Sequence, residues 1–336
     1  MPAWTPIGGE SVSSDYAAYL SLDIANGIPY LAYKDASVHY RLTVKRFADE
    51  QWEIVGKPGF SNGFANYLSL SVFNKIPFVA YQDVAANHRV TVMAYEDNEW
   101  NSVGDEGFSK GYAHFTSFAM LNGTPHVAFQ DVQHHNKASV MRFNDATWEH
   151  VGLPGFSTYF VSDTQIQAGN NSIYVAYIEE SNAKRAIALK FDGVKWAPVS
   201  SPLPITSVQS ISFSVYPATV YRDELFLAIQ DLSKNSQLSI WRWRDKEWEP
   251  LGTPGFGYYP CLKITAGIPY LAFQDLNTHG KATVKRLIDG VWETVGINGF
   301  SAGRVSDLSF QMDKNVPTLA YRDEAKNSRA VVMSYV

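Results

Sequence analysis

A few polar side chains interrupt a column of aromatic residues in this sequence. An acidic residue, such as Asp35 or Asp83, recurs along the chain. The residues sixteen positions before it are Tyr19, Tyr67, Phe115, Asp163, Val215, Tyr259 and Asp307. Aromatic faces stack on the apolar C–H faces of a sugar ring, while carboxylate, amide and guanidinium groups bind its hydroxyls. These residue types predict a site for a carbohydrate or another small polar ligand.

Two neighbouring columns add polar groups to the same set. Asn66 and His114 precede the aromatic column by one residue, and Arg304 stands three residues before Asp307. The predicted ligand-binding residues are Tyr19, Asn66, Tyr67, His114, Asp163, Tyr259, Arg304 and Asp307. The alternative is that these positions are solvent-exposed, tolerate polar substitutions and bind no ligand.

Catalysis by the same residues stays open as a second interpretation. Asp163 and Asp307 are the paired carboxylates that a glycoside hydrolase needs, and His114 with a tyrosine is the pair that a polysaccharide lyase needs to abstract a proton. The units that carry the two carboxylates are predicted to lie almost opposite each other, which exceeds the short separations of glycosidases. The sequence therefore favours binding over turnover.

Repeats spaced by tryptophan explain how these residues are positioned. The repeated tryptophans are separated by 48, 48, 48, 48, 52 and 44 residues. They are Trp4, Trp52, Trp100, Trp148, Trp196, Trp248 and Trp292. Each unit holds four short segments rich in β-branched and aromatic residues, termed here strands a to d, with turn residues between them. This pattern predicts an all-β chain folded as a seven-bladed β-propeller of four-stranded antiparallel blades.

The ends of the chain indicate how the ring closes. The last unit ends at Val336 without a tryptophan-bearing strand d, and the missing strand lies at Met1 to Gly8. We expect the N-terminal strand to complete the last blade, making residues 1–336 one domain. The fifth unit gains residues, assigned to the segment Ser201 to Tyr216, and the sixth loses four. Both changes are predicted to lie between strands d and a, on one face of the ring.

The most regular residues are interpreted as structural. The recurring acid is followed six residues later by a basic residue in six of seven units, as in Asp35 and Arg41, which predicts a cross-strand ion pair. The phenylalanines of the Gly-Phe-Ser phrases are predicted to wedge between neighbouring blades, and they are Phe60, Phe108, Phe156, Phe256 and Phe300.

Composition excludes several function classes. A net charge of −5 provides no broad basic field for nucleic acid. Cys261 is the single cysteine, so we predict no disulfide, no metal site and no cofactor, and expect this thiol in the core. No apolar run approaches the roughly 20 residues of a membrane span. The sequence shows no signal peptide, leaving a cytoplasmic protein or a trimmed secreted one, and the oligomeric state stays open.

The repeated phrase also carries a resemblance. Pro-[Tyr/Phe]-Val-Ala-Tyr-Gln-Asp, then Lys/Arg-x-x-Val-Met, then Trp-Glu-x-Val-Gly-x-x-Gly-Phe-Ser resembles a repeat of bacterial β-propeller proteins. The array as a whole is similar in plan to seven-bladed propeller lectins, which implies a carbohydrate-binding protein with its ligand at the loop face and tunnel mouth. A polysaccharide-degrading enzyme and a protein-interaction scaffold are the alternatives, because propellers host all three.

Overall fold

The computed structural model describes residues 2–181, 183–220 and 222–336. Its strands pair antiparallel in sheets of four, and two of these four-stranded units join through a short pairing between Gln237–Leu238 and Gly255–Phe256. The predicted all-β class and the four-stranded antiparallel units are therefore confirmed. None of the described segments forms a helix long and apolar enough to cross a membrane.

The strands of the first three complete units follow one another without crossovers. The first unit contains β2 (Ala17–Ala25), β3 (Ile28–Asp35), β4 (Arg41–Ala48) and β5 (Gln51–Ile54). The second contains β6 (Ala65–Phe73), β7 (Ile76–Asp83), β8 (Arg89–Glu96) and β9 (Glu99–Ser102). The third contains β10 (Ala113–Leu121), β11 (Thr124–Asp131), β12 (Lys137–Phe143) and β13 (Trp148–His150).

The remaining units keep the same order. The fourth contains β14 (Val161–Ala168), β15 (Ile173–Glu179), β16 (Arg185–Phe191) and β17 (Trp196–Pro198). The fifth contains β18 (Val208–Thr219), β19 (Arg222–Asp231), β20 (Gln237–Arg244) and β21 (Glu247–Pro250). The sixth contains β22 (Gly255–Thr265), β23 (Ile268–Asp275), β24 (Lys281–Ile288) and β25 (Val291–Thr294). The last contains β26 (Val305–Asp313), β27 (Val316–Asp323), β28 (Arg329–Tyr335) and β1 (Trp4–Pro6).

Local sequence accounts for these hairpins. Strand b is apolar on both faces, as in β3, where Pro29–Tyr33 are all buried because the strand lies between neighbouring sheets. The turn before β3 has positive φ at both Asn26 and Gly27, 53° and 79°, which is the backbone of the tight turn that matches strand twist. Short turns therefore keep consecutive strands paired within one unit.

The innermost strands, one per unit, contact each other in sequence order, and β26 in turn contacts β2. At the chain ends, β1 pairs with β28, with Trp4 opposite Tyr335. The sequence prediction of a seven-bladed ring closed by the N-terminal strand requires both of these contacts. The functional consequence is a central tunnel lined by the innermost strands.

The phenylalanines of the Gly-Phe-Ser phrases join adjacent units, as predicted. Phe60 stacks on Trp100 of the next unit with ring centroids 4.1 Å apart, and the Trp100 indole N–H donates to the Val55 carbonyl at 2.9 Å. Phe108, Phe156 and Phe300 stack in the same way on the equivalent tryptophans. Phe256 departs from the prediction, because it lies within β22 and is exposed.

The recurring acid caps a turn, and the predicted ion pair is wrong. Asp35 does lie opposite Arg41 in the strand register. Its carboxylate instead accepts hydrogen bonds from the Ser37 backbone N–H at 3.0 Å and from the Thr43 hydroxyl at 2.8 Å. Equivalent turn caps occur at Asp83, Asp131, Asp231, Asp275 and Asp323. A buried carboxylate is stabilised by these donors, which leaves the basic residue free.

The length change in the fifth unit was assigned to the wrong segment. Val208 pairs with Asp231, 23 residues later, whereas the equivalent Ala17 and Asp35 are 18 residues apart. The extra residues therefore lengthen the β18–β19 hairpin, and the connection from strand d is not lengthened. That hairpin lies at the face opposite the d-to-a connections. The prediction that both length changes share one face is wrong, and only the loss in the sixth unit lies where expected.

Candidate functional site

A β-bulge near the start of strand a builds the mouth of the tunnel. In the first unit the register skips Tyr19 and Leu20 between the pairs formed by Ala18 and Ser21. The residue at this bulge has positive φ, between 48° and 54°, in six units, and these residues are Tyr19, Tyr67, Phe115, Asp163, Tyr259 and Asp307. Non-glycine residues rarely adopt this backbone, which turns each of their side chains in the same direction.

The fifth unit does not supply a residue of this kind. Val215, assigned to the column by counting, pairs with Leu225 near the far end of the hairpin. Its true counterpart lies at Ser210–Ile211, because the extra residues of this unit fall between strand a and the acid. The assignment of Val215 to the column was therefore wrong.

Three aromatic rings form an arc at the mouth. Tyr67 lies between Tyr19 and Phe115, with ring centroids 5.4 Å and 5.2 Å away and tilted planes. These rings line a cavity of about 290 Å³ together with Asp163 and Asp307. The structure thus places four of the predicted residues, Tyr19, Tyr67, Asp163 and Asp307, around one cavity.

Asp163 joins the fourth unit to the fifth. Its carboxylate accepts hydrogen bonds from the Ile211 backbone N–H at 2.7 Å and from the Gln165 side chain at 3.2 Å. Burial raises the pKa of Asp163, and these two hydrogen bonds oppose the rise. Because its oxygens already accept protein donors, part of the role of Asp163 is structural.

Asp307 has a charged partner that the sequence analysis missed. The Arg322 guanidinium lies 3.2 Å from the Asp307 carboxylate and donates to the hydroxyls of Ser306 and Tyr16. Burial raises the pKa of Asp307, while the Arg322 charge and the Tyr19 backbone N–H lower it. The guanidinium also lies over the Tyr16 ring, 5.0 Å from its centroid. The side of the mouth formed by Asp307 and Arg322 is therefore held in a fixed arrangement without a ligand.

Asn66 and His114 belong to a hydrogen-bonded chain beside the rings. The Lys34 ammonium donates to the Asn66 side chain at 2.7 Å, and Asn66 donates to Gln82 at 2.9 Å. The Gln82 amide lies 3.3 Å from a His114 ring nitrogen. His114 meets the Tyr67 ring edge to face at 5.7 Å, and burial lowers its pKa, so its imidazole is neutral at neutral pH.

The two remaining predicted residues do not line the mouth cavity. Tyr259 lies at the same bulge, is half exposed and lines the tunnel cavity together with Asp163 and Asp307. Arg304 is exposed on the loop face, where its guanidinium lies 3.9 Å from Glu324. The structure therefore separates Arg304 from the carboxylates with which it was grouped.

Lys34 and Arg322 had a detectable signal in the sequence. The residue immediately before the recurring acid is Gln82, Gln130, Gln230 or Gln274 in four units, and it is Lys34 and Arg322 in the first and last. In three of these four units the glutamine amide reaches the next unit, as in the 2.6 Å hydrogen bond from Gln82 to the Ala113 carbonyl. Comparison of this column alone would have identified both bases.

The tunnel behind the mouth is polar. It has a volume of about 630 Å³ and is lined by serines of strand a together with Asp23, Lys263 and Cys261. The Ser21 hydroxyl accepts the Leu70 backbone N–H of the next unit at 2.9 Å, and this contact recurs at Ser69, Ser117, Ser212 and Ser309. Cys261 occupies the same column, where it is partly buried against the core of the last two units and also lines the tunnel. Burial raises its pKa to about 12.

Among the described residues, no three His, Cys, Asp or Glu side chains are grouped as metal ligands would be. The mouth instead combines stacking surfaces, neutral or charged hydrogen-bonding groups and two carboxylates with raised pKa. Such an arrangement can hold a ring-shaped polar molecule by its faces and hydroxyls.

Comparison with known proteins shows the fold. No protein-family model matches the sequence, and no curated protein matches it. SapL1 lectin, solved in complex with α-methyl fucoside, is 14% identical with a TM-score of 0.58 over 85% of this chain and 97% of its own. A mutant of the Aleuria aurantia lectin AAL in complex with Fucα1-6GlcNAc is 12% identical, with a TM-score of 0.52 over 81% and 95%.

The polysaccharide lyase Uly1 is also similar in structure. It is 9% identical, with a TM-score of 0.59 over 98% of this chain and 91% of its own. At these identities the likeness shows the fold alone. The chain is thus a β-propeller repeat protein whose structural neighbours include propeller lectins and a polysaccharide lyase.

Proposed function

We propose that this protein binds a carbohydrate at the mouth of its tunnel. The observation that carries the proposal is the arc of Tyr19, Tyr67 and Phe115, with ring spacings of 5.4 Å and 5.2 Å beside two carboxylates. Stacking on consecutive rings suits consecutive sugar units, and the polar chain from Lys34 to His114 supplies donors and acceptors for their hydroxyls. Lectins among the structural neighbours support the same function.

The test combines a glycan array with titration calorimetry. The unmodified protein is expected to bind a glycan at the mouth, and Tyr67→Ala to weaken that binding by about tenfold, since one stacking contact contributes about 1 kcal/mol or more. Tyr159→Ala is the control, because Tyr159 is an exposed tyrosine that lies outside the mouth cavity. Absence of any glycan ligand, or equal effects of the two substitutions, contradicts the proposal.

A lyase acting on a polysaccharide is the second candidate. The supporting observation is the neutral His114 in edge-to-face contact with Tyr67 at 5.7 Å, because a neutral imidazole can accept a proton and a tyrosine can donate one. Incubation with uronate polymers, followed by absorbance of unsaturated products, tests this function. Turnover that disappears in His114→Ala would support a lyase, and binding without turnover would leave the lectin.

A further inference from the structure

A second, repeated feature lies outside the mouth, in the grooves between neighbouring units on the same face. The side chain of the base opposite the recurring acid makes no hydrogen bond or ion pair with the described residues. This holds for Arg41, Arg89, Lys137, Arg185, Lys281 and Arg329. In five of these units the acid is occupied by its turn, and in the fourth unit Glu179 lies opposite Arg185 in the strand register. Six cationic side chains are therefore available around the rim.

Exposed aromatic rings from the next unit lie beside some of these bases. In the groove between the first and second units, Arg41 and Phe64 line a cavity of about 330 Å³ with His39 and Asn62. The Tyr40 ring lies 5.9 Å from that of Phe64. The Phe64 side chain is 48% exposed, a large apolar surface beside a free cation.

The same neighbours recur in three further grooves. The Ala113 N–H donates to the His88 carbonyl at 3.0 Å, which places Tyr112 next to Arg89. The equivalent hydrogen bonds from Val161 to Asn136 and from Ala17 to Ser328 place Phe160 next to Lys137 and Tyr16 next to Arg329. All three rings are exposed by 36% to 51%. Four consecutive grooves thus pair a free base with an exposed ring.

The other three grooves lack one partner. Beside Arg185 the next unit supplies Ser207 and no ring. Beside Phe256 the base is replaced by Gln237, and beside Lys281 the ring is replaced by Arg304. Two of these grooves also carry acids, with Glu180 bound to Lys184 and Glu324 facing Arg304. The complete pairs therefore occupy one side of the ring, the side that also carries Tyr19, Tyr67 and Phe115 at the mouth.

We infer that these four grooves form a binding track for a polysaccharide that carries anionic groups. Each ring stacks on a sugar face and each base pairs with a carboxylate or sulfate, while the repeat spaces the contacts along a polymer. A neutral sugar would leave the bases unused, and a simple anion would leave the rings unused. The track borders the proposed site at the mouth, because Arg322 lies over the Tyr16 ring and Lys34 Nζ lies 5.7 Å from the Phe64 ring centroid. The bases Arg41, Arg89, Lys137 and Arg329 take no part in the site at the mouth.

Binding of polygalacturonate, dextran sulfate and uncharged dextran to the full chain tests the track. The double variant Arg41→Ala/Arg89→Ala is expected to lose at least about fivefold in affinity for a charged polymer, and the loss shrinks at high salt. The matched control Arg185→Ala/Lys281→Ala removes the same charge from grooves without rings and is expected to change affinity by less than about twofold. Phe64→Ala/Tyr112→Ala is expected to match the first variant.

Each outcome decides the inference. Preference for polygalacturonate assigns carboxylates as the anionic groups, and preference for dextran sulfate assigns sulfates. Equal losses in the two base variants, equal binding of uncharged dextran, or tighter binding of DNA of similar charge would overturn it. Tyr67→Ala is measured in parallel, so that failure at the mouth and failure at the rim are distinguished. Thermal unfolding of every variant excludes loss of the fold.

Discussion

Arg322 Nη1 lies 3.2 Å from Asp307 Oδ2, and both side chains are more than 70% buried. This pair holds a carboxylate at the tunnel mouth whose pKa burial would otherwise raise further. Four units place glutamine where Arg322 stands, so Arg322→Gln is a substitution that the architecture accommodates.

Arg322→Gln is expected to destabilise the protein more at neutral than at acidic pH. Without the Arg322 cation, the pKa of Asp307 in the folded protein rises further above its unfolded value of 3.8. The stabilisation that protonated Asp307 contributes is therefore complete below pH 3.8 and is lost as the pH rises through the folded pKa. The expected cost is about 1–3 kcal/mol near pH 7 and less near pH 4, measured by urea unfolding. In the double variant with Asp307→Asn, this pH dependence should vanish; its persistence would contradict the assignment.

The Phe60 wedge is expected to contribute strongly to stability. Phe60 is buried and stacked on Trp100 at 4.1 Å, so Phe60→Ala removes contacts between two units and leaves a cavity. The expected cost is about 3–5 kcal/mol in the free energy of unfolding. Phe256→Ala, at the exposed phenylalanine of the sixth unit, should cost less than about 1 kcal/mol. Similar losses in the two variants would be inconsistent with this role.

Closure of the ring by the N-terminal strand is tested by removing that strand. Trp4 stacks on Phe300 at 4.1 Å, and its indole N–H donates to the Val295 carbonyl at 2.8 Å. Deletion of residues 1–8 is expected to lower the melting temperature and to cause association through the unpaired edge of β28. Light scattering and calorimetry measure both effects. A truncated chain that remains monomeric with an unchanged melting temperature would refute closure.

Asp83→Ala separates the capping role of the recurring acid from a ligand role. The Asp83 carboxylate is buried and accepts from the Ala85 N–H at 2.9 Å and the Thr91 hydroxyl at 3.1 Å. We expect a loss of about 1–3 kcal/mol in unfolding free energy, because the buried Thr91 hydroxyl and the Ala85 N–H lose their acceptor. Glycan affinity at the mouth should be unchanged in the folded protein. Lost affinity with full stability would indicate a ligand instead.

Regular features were predictable from sequence, and the exceptions were less so. The repeat located the bulge residues in six units, because each lies at a constant distance from the acid that recurs at the end of strand b. Val215 was misplaced because a count cannot tell an insertion in the β18–β19 hairpin from one in the preceding connection. The ion pair between Asp35 and Arg41 was predicted from register alone, whereas nearby backbone and hydroxyl donors satisfy the carboxylate first.

The serines of strand a determine what the tunnel wall presents to water. The Ser21 oxygen accepts a backbone N–H from the neighbouring unit, and Ser69, Ser117, Ser212 and Ser309 do the same. All five serines line the tunnel, and no acceptor for their hydroxyl protons is present among the described residues. Each hydroxyl therefore joins two units through its oxygen and keeps its proton available for water or a ligand in the tunnel.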